Sequence, residues 1–403
     1  MGVPIGAELV YEDGRIEWLT DPKAATRWSG EGRVVLLYDY SLELLPPLNG
    51  PIDLWRYRSL LPLPDGPIGY PLPVGGTPLI APPRLRAELG MPHLWLKDET
   101  RSPTGSNKDR ATALVLEHLL RTEVSTVTAA STGNVAVSLA VGAAACGIRA
   151  VIFVPSEISE AKLRLILAAG ATVVKVRQGY TAAFRLSREA ARSFGWGDRN
   201  TGVNPLTIEA KKTAAFEIWE QLGRRMPDAV IAAVGDGTTL CALGKGFREL
   251  VACSAAVRPP RLIGVQAEGC APVARAWQAG RPVVPLLEGH TLADGIDVPA
   301  PACGGMVLRE IGLCGGGMVT VSDAAMLEAV ELLATRAGVF AEPAGAAAVA
   351  GLKAALGQGL VGRNEEVVAM VTGTGLKTMQ FFKASGQIVE IGGTLQELAE
   401  SLR

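Results

Sequence analysis

The chain alternates strand-like and helix-like segments between residues 124 and 195, and this alternation constrains its fold more than any other feature. The strand-like stretches are "VSTVTAAS" (124–131), "RAVIFVP" (149–155) and "ATVVKVR" (171–177). The helix predicted after the second strand has Ser156 as a good N-cap residue, Glu157 and Glu160 in its first turn, and Gly170 at its end. Three strand–helix repeats at this spacing predict a parallel, doubly wound sheet with right-handed crossovers.

A second α/β run begins near residue 226, and 403 residues are enough for two domains. Before it, "AELVYEDGRIEWL" and "GRVVLLYDYS" predict a small N-terminal β extension, and a proline-rich connector should lie extended over a surface. We therefore predict an α/β protein with two doubly wound, mostly parallel-sheet domains. The predicted division is a β extension at 1–50, a large domain built from 51–119 and 226–403, and a small domain at 120–225.

Composition argues against several classes of function. The net charge is −1 and no Lys/Arg run occurs, so neither nucleic acid nor an anionic membrane is an expected partner. The most apolar window, residues 134–155, is broken by Gly142, Gly147 and Arg149, which indicates helix, turn and strand rather than a membrane span. No signal peptide is visible, so a cytoplasmic location is expected. Six cysteines without a CxxC pair and three scattered histidines predict buried free thiols and no metal site.

Three glycine-rich loops follow strand-like stretches: "STGN" (131–134), "GDGTT" (235–239) and "TGTG" (372–375). Ligands of doubly wound sheets bind beyond the carboxyl ends of the strands, where such loops lie. The loop at 235–239 can present backbone N–H groups and a helix start to a phosphate. It is neither a P-loop nor an intact GxGxxG motif, because Leu240 occupies the third glycine position. A plain tight turn at this loop, a helix-capping role for Asn134 and a solvent-exposed Lys108 are the alternative interpretations of the separate features.

Lys108 lies between a tight turn and an apolar helix, within "LKDETRSPTGSNKDRA". This string, followed by "ASTGNVAVSLA", "EPAGAAAVAGL" and "VTGTGLK", resembles the ordered motifs of pyridoxal-phosphate (PLP) enzymes of the tryptophan synthase β-like group, also called fold type II. Within that group the chain is most similar to threonine synthases, over most of its length. The resemblance implies PLP in a cleft between the two domains, a homodimer, and an L-amino acid as the substrate.

The resemblance also implies roles for individual residues. Lys108 would hold PLP as a Schiff base and later move the α-proton of the substrate, because a partly desolvated site favours its neutral amine. The implied cofactor-binding residues are Lys108, Asn134, Gly235, Asp236, Gly237, Thr238, Thr239 and Thr372, and the implied substrate-binding residues are Ser131, Thr132 and Gly133. A neutral Thr372 at the pyridine nitrogen would leave the ring less protonated, which favours elimination and replacement over transamination. The implied reaction converts O-phosphohomoserine to L-threonine plus phosphate.

Several positions depart from the threonine synthase pattern. Thr207 occupies the position where an arginine usually holds the substrate phosphate, and Asp236 adds a negative charge to the cofactor loop. Val135 and Asn107 replace a usual threonine and phenylalanine. The segment "HTLADGIDV" (290–298) is more similar to serine/threonine dehydratases, whose substrates carry no phosphate. Alternatives are therefore a dehydratase-type lyase or a specialised β/γ-replacement enzyme on a non-phosphorylated amino acid, an amino-acid-sensing descendant of the fold, and, more remotely, a nicotinamide-binding Rossmann protein.

Glu342 and the N-terminal string "LLYDYS" can each be interpreted in two ways. Glu342 in "AEPAG" is either an active-site carboxylate or a helix-start residue beside Pro343, where the helix dipole favours it. The N-terminal string "LLYDYS" resembles the end of a cysteine-bearing module found in some threonine synthases, but this chain has no cysteine before Cys146. It is either a related module without metal or an unrelated β arm.

Overall fold

The computed structural model describes residues 4–11, 15–21, 32–47, 49–156, 158, 160–286, 288–383 and 386–402. The strands are β1 (Gly6–Val10), β2 (Ile16–Leu19), β3 (Arg33–Leu37), β4 (Leu79–Ile80), β5 (Leu94–Asp98), β6 (Thr126–Ala130), β7 (Arg149–Pro155), β8 (Thr172–Val176), β9 (Gly197–Asp198), β10 (Ala229–Ala233), β11 (Arg261–Ala267), β12 (Gly316–Val321) and β13 (Val367–Val371). The α-helices are α1 (Pro83–Leu89), α2 (Lys108–Leu120), α3 (Asn134–Ala145), α4 (Glu160–Ala168), α5 (Gly179–Phe194), α6 (Leu206–Lys211), α7 (Thr213–Gln221), α8 (Thr238–Ala252), α9 (Pro272–Ala279), α10 (Gly304–Cys314), α11 (Asp323–Leu332), α12 (Pro343–Gly357) and α13 (Leu395–Ser401).

The strands form three sheets. The largest has six strands in the order β12-β11-β10-β13-β5-β4, and all neighbours are parallel except the edge pair β4 and β5. The second has four parallel strands in the order β8-β7-β6-β9. The third is a three-stranded antiparallel sheet, β2-β1-β3, near the N-terminus. The predicted α/β class with two mostly parallel sheets and an N-terminal β extension is thus confirmed.

Both faces of the six-stranded sheet are buried, as parallel sheets require. Along β10, Val230 and Ala232 pack into one hydrophobic cluster, whereas Ala229, Ile231 and Ala233 pack into another on the opposite face. Helices α7, α8 and α10 cover the first face, and α11 and α12 cover the second. The loops at the carboxyl ends of the strands are therefore held on a rigid, fully packed support.

The N-terminal sheet is attached to the rest of the chain by polar contacts as well as by its own apolar cluster. After β3, Tyr38 donates a hydrogen bond to Glu209 Oε2 at 2.7 Å and Tyr40 donates one to Glu249 Oε1 at 3.0 Å. Lys212 Nζ lies 4.3 Å from the centre of the Tyr38 ring and pairs with both carboxylates. The "YDY" string is therefore the attachment segment of the β extension.

One helix start was predicted wrongly. Helix α4 begins at Glu160, four residues after the predicted N-cap Ser156, which lies in a turn at the end of β7. Glu157 lies outside the described residues. The described cysteines carry free thiols, and all except the partly buried Cys146 are buried. Within the described residues, no helix combines the length and the apolar character needed to cross a membrane.

Candidate active site

Lys108 is the first residue of α2, and backbone hydrogen bonds fix its segment to the end of β13. Asn107 N donates to Thr372 O at 3.0 Å, and Thr374 N donates to Gly105 O at 2.7 Å. Gly105 has a φ of +71°, and a Cβ there would clash with the Thr374 side chain, so this approach requires glycine. The turn before the helix therefore places Lys108 directly beside the loop at 372–375.

The surroundings of Lys108 favour a neutral amine. Its Nζ lies 3.3 Å from Asn107 Oδ1. Burial lowers the pKa of Lys108; the carboxylates of Glu342 and Asp236 oppose this shift, whereas the positive charge of Arg199 reinforces it. An amine that loses its proton readily is the form that attacks a carbonyl carbon.

The loop at 235–239 joins β10 to α8 in a tight glycine turn at a helix start. Gly237 has a φ of +93°, which an L side chain rarely adopts, and a Cβ at Gly235 would lie 2.8 Å from the Gly295 carbonyl oxygen. Thr238 begins α8, so the positive end of the helix dipole points at the loop. Lys211 Nζ donates hydrogen bonds to Thr238 Oγ1 at 2.8 Å and, more weakly, to Thr239 Oγ1 at 3.3 Å.

Asn107 connects the lysine to this loop. Its Nδ2 donates to Thr239 Oγ1 at 3.1 Å, while its Oδ1 faces Lys108 Nζ. Lys108, Asn107, Thr239 and Lys211 thus form a continuous polar chain along the floor of the site. An amine with a lowered pKa at one end of this chain and a glycine turn at a helix start at the other would suit a ligand that carries both an aldehyde and a phosphate.

Asp236 does not direct its carboxylate at Lys108. Its Oδ1 accepts a hydrogen bond from Ala302 N at 2.7 Å, and a Cβ at Gly202 would lie 2.5 Å from its Oδ2. Burial raises the pKa of Asp236; the hydrogen bond from Ala302 N lowers it, as do the charges of Arg33, Lys211 and Lys108. The extra carboxylate is therefore turned toward the 301–302 segment behind the loop, which reduces its conflict with a bound anion.

Asn134 begins α3 and is held from both sides. Its Nδ2 donates to Glu342 Oε1 at 2.6 Å, and its Oδ1 accepts from Lys377 Nζ at 2.5 Å. Glu342 N in turn donates to Gly373 O at 3.1 Å. Because an ammonium group can only donate, Lys377 fixes the amide oxygen toward itself and the amide NH₂ toward Glu342. The structure thus brings Asn134 to the loop that also receives Lys108.

Glu342 lies at a helix start, and its side chain faces Asn134. It occupies the N-cap position of α12, before Pro343, but its side chain makes no capping hydrogen bond. Its carboxylate instead lies against Asn134, and within the described residues its Oε2 has no hydrogen-bond partner although it is buried. Burial raises the pKa of Glu342, Asp294 reinforces the shift, and Lys377 opposes it. Among the described residues, Glu342 Oε2 is therefore a buried acceptor that remains available for a hydrogen bond.

The remaining predicted residues lie at the rim and at the end of β13. Residues 131–133 are partly buried, with Gly133 N donating to Ser131 Oγ at 3.1 Å. A Cβ at Gly133 would meet no atom within 4 Å, so the space above this turn is open. Thr372 Oγ1 lies 3.5 Å from Ala344 O, at the limit of a hydrogen bond. Thr132, between Ser131 and Gly133, is partly buried as they are.

Comparison with known proteins agrees with a PLP site on this fold. Residues 70–373 match the family described as "Pyridoxal-phosphate dependent enzyme", and the chain belongs to that family. Threonine synthase of Methanocaldococcus jannaschii is 35% identical over 328 residues, which cover 81% of either chain. Threonine synthase of Mycobacterium tuberculosis is 35% identical over 322 residues, which cover 80% of this chain and 87% of the relative.

Solved structures are similar to the same region. A threonine deaminase from T.th. is 27% identical with a TM-score of 0.63, and the match covers 74% of this chain and 92% of that one. Threonine deaminase isoform 2 of Solanum lycopersicum has a TM-score of 0.64 at 23% identity, covering 77% of this chain and 88% of that one, which supports the fold. The protein is a PLP-dependent enzyme of fold type II with a threonine synthase-like sequence.

Sequence reasoning left some site residues without a role. Asn107 entered only as a departure from the family, Lys377 was only part of the quoted string "VTGTGLK", and Lys211 was given no role. The position of Lys377, four residues after Gly373 in a loop already assigned to the site, was the available signal. Lys211 carried no comparable signal, because its neighbour Lys212 has the same side chain and points into a different cluster.

Proposed function

We propose that this chain catalyses PLP-dependent elimination or replacement on an L-amino acid, in the manner of threonine synthase, which converts O-phosphohomoserine to L-threonine and phosphate. The observation that carries the proposal is the polar chain from Lys108 through Asn107 and Thr239 to Lys211, which joins a carbonyl-reactive amine to an anion-binding turn. The match to threonine synthases over most of the chain supports the same conclusion.

In this proposal Lys108 holds the cofactor and then acts as the proton carrier. PLP, when bound, withdraws the electron pair that is left at the substrate Cα. Lys108 Nζ would remove the α-proton and return it, since burial lowers the pKa of its amine and so makes it a better proton acceptor at neutral pH. The hydroxyls of Ser131 and Thr132 and the N–H groups of the 131–133 turn receive the substrate carboxylate at the open rim.

The other predicted residues orient the cofactor. The loop at 235–239 would hold the phosphate, and Asn134 would donate its amide N–H to the ring hydroxyl oxygen. Lys377 sets the direction of that amide, since its ammonium occupies the amide oxygen. Thr372, which is neutral, would face the ring nitrogen and would leave it less protonated than a carboxylate in that position.

A dehydratase-type reaction on a non-phosphorylated amino acid is the second candidate, and specific contacts favour it. Thr207, where threonine synthases usually carry a phosphate-binding arginine, donates its hydroxyl to Asn204 O at 2.8 Å and is buried. Loss of the arginine removes charge-assisted hydrogen bonds of roughly 1.5–3 kcal/mol each. The resemblance of the 290–298 segment to dehydratases and the likeness to the threonine deaminase from T.th. support the same candidate.

We also propose that the site lies between the large domain, residues 51–119 and 226–403, and the small domain, residues 120–225. An ion pair between Lys162 on α4 and Asp294 supports this arrangement, because it joins the two parts at the site. We propose a homodimer in the cytoplasm, which light scattering of the purified protein and fractionation of cells would test.

Absorption spectroscopy tests the cofactor assignment. Purified protein with PLP should show a visible band that is lost in Lys108→Ala and kept in the control Lys175→Ala, because Lys175 is exposed. A band that persists in Lys108→Ala would refute the role of Lys108. If no band forms in the wild type, a non-catalytic sensing role is favoured instead.

Product assays distinguish the two reactions. Phosphate release from O-phosphohomoserine supports the threonine synthase reaction, whereas keto-acid formation from threonine or serine supports the dehydratase reaction. If neither substrate is consumed and neither changes the visible spectrum, both reaction assignments fail.

A further inference from the structure

Lys211 differs from every other buried lysine in the described part of the chain. The fully buried lysines are Lys97, Lys162, Lys211, Lys212 and Lys245, whereas Lys108 and Lys377 are only partly buried. Each of the other four pairs with at least one carboxylate: Lys97 with Glu217, Lys162 with Asp294, and Lys212 and Lys245 with Glu209 and Glu249. Lys211 pairs with none of the described carboxylates, and its hydrogen bonds go to neutral hydroxyl groups.

An ammonium group buried without a counter-charge is unfavourable. Only 3% of Lys211 is exposed, and the nearby charges of Lys108 and Arg199 are also positive. Burial lowers the pKa of Lys211 well below its ordinary value, these two cations lower it further, and Asp236 opposes them. The position therefore lacks an anion, and a bound anion would restore the protonated form of the lysine.

The chemistry around Lys211 specifies the anion. Its two hydroxyl partners, Thr238 and Thr239, form the first turn of α8, directly after Gly237 in the left-handed conformation. Backbone N–H groups at a helix start, threonine hydroxyls and a lysine together match the oxygens of a phosphate group. The ammonium group contacts the same two hydroxyls that would line the phosphate site, so it lies within reach of the phosphate oxygens.

We propose that Lys211 is the counter-cation for a phosphate monoester bound at residues 235–239, namely the phosphate of the cofactor. This inference rests on the proposed placement of PLP at Lys108. Thr207 lies one turn before Lys211 in α6 and is engaged with Asn204 O, so the described part of α6 directs one cation at this loop. The helix thus supports the cofactor phosphate, whereas the position associated with a substrate phosphate is neutral.

The test compares PLP with pyridoxal, which lacks the phosphate, in wild type, Lys211→Gln and Lys211→Arg. We expect Lys211→Gln to weaken PLP binding roughly tenfold or more while changing pyridoxal binding less than twofold, because a charge-assisted contact to phosphate is lost. Lys211→Arg should retain most of the PLP affinity. Lys353→Gln, which changes an exposed lysine, is the matched control and should change neither the dissociation constant for PLP nor that for pyridoxal.

The same measurements separate this inference from the proposed function. If the wild type forms no visible band with either PLP or pyridoxal, the placement of PLP at Lys108 is refuted. A normal band with an unchanged ratio of PLP to pyridoxal affinity in Lys211→Gln would refute only the role of Lys211. If that variant binds PLP normally but the holoenzyme no longer responds to O-phosphohomoserine, Lys211 serves a substrate phosphate and the inference is wrong.

The melting temperature of the protein without PLP gives an independent check. Lys211→Gln replaces an amine whose charged form is disfavoured by burial, so the PLP-free variant should be at least as stable as the PLP-free wild type. PLP should then raise the melting temperature of the wild type more than that of the variant. A variant that melts far below the wild type in the absence of PLP would show that the lysine is structural, and would overturn the inference.

Discussion

Glu217 is the centre of a buried cluster of charges beneath the helix that carries Lys108. Its Oε1 accepts hydrogen bonds from Arg110 Nη1 at 2.5 Å and Gly76 N at 3.0 Å, and its Oε2 accepts from Lys97 Nζ at 2.6 Å. Arg110 lies two residues after Lys108 in the first turn of α2, and the three charged side chains are at most 1% exposed. The cluster therefore fixes the start of α2 against α7 and β5.

Replacing Glu217 by glutamine removes the charge with almost no change in shape. Burial raises the pKa of Glu217, but Arg110 and Lys97 outweigh burial and lower it from 4.5 to about 2. At about 1.4 kcal/mol for each pKa unit, this difference corresponds to about 3 kcal/mol of stability at neutral pH. Loss of one partner of a buried pair usually costs about 3–5 kcal/mol, which agrees. We expect Glu217→Gln to lower the free energy of unfolding by that amount.

Urea denaturation followed by circular dichroism measures the effect. The control is Glu123→Gln, since Glu123 is exposed, and it should lie within about 0.5 kcal/mol of the wild type. Because the folded-state pKa of Glu217 is lowered, its contribution is complete above about pH 4.5 and is lost as the pH falls toward 2. The difference in the free energy of unfolding between wild type and Glu217→Gln should therefore decrease as the pH falls from 4.5 toward 2. A difference in unfolding free energy below about 1 kcal/mol at pH 7 would refute the reasoning.

Three further substitutions have defined outcomes. Tyr38→Phe should cost about 2 kcal/mol in urea denaturation, because the hydrogen bond to the carboxylate of Glu209 is lost, and an unchanged midpoint would contradict this. Gly237→Ala should lower the melting temperature by several degrees and weaken PLP binding, since φ is +93° and the new Cβ would lie 2.7 Å from a valine methyl; wild-type values for both would contradict it. Lys377→Met should weaken PLP binding roughly tenfold and shift the visible band, because the Asn134 amide is no longer held. Lys377→Met should weaken pyridoxal binding as much as PLP binding, whereas Lys211→Gln should weaken mainly PLP binding.

Local patterns were sufficient for the repeated α/β units and for the position of Lys108 at a helix start after a tight turn. Strands β6, β7 and β8 lie where apolar stretches end in turn residues, and β10 and β13 each precede a glycine loop. In a parallel sheet these loops must gather at one edge, so Lys108, Asn134 and the two loops could be brought together from their order alone. The family resemblance then gave those positions a chemistry.

Local sequence patterns could not predict which charged side chains are buried or with which partners they pair. Arg110 and Glu217 lie on helices whose periodicity does not distinguish a buried ion pair from a solvated face, and the two partners are more than a hundred residues apart. The same holds for adjacent lysines: Lys211 contacts Thr238 in the first turn of α8, and Lys212 contacts Glu209. Only the three-dimensional packing of α6 against α8 decides which cation enters the site.

The order of strands in the six-stranded sheet also bears on synthesis of the chain. Strand β5 pairs with β13, and β13 alone joins it to β10, although about 270 residues separate β5 from β13. The small sheet, in contrast, is contiguous between Thr126 and Asp198. During translation the segment that bears Lys108 must therefore wait, with one strand edge unpaired, until the last strand emerges, and nascent chains in that interval are exposed to misassembly and to chaperone capture.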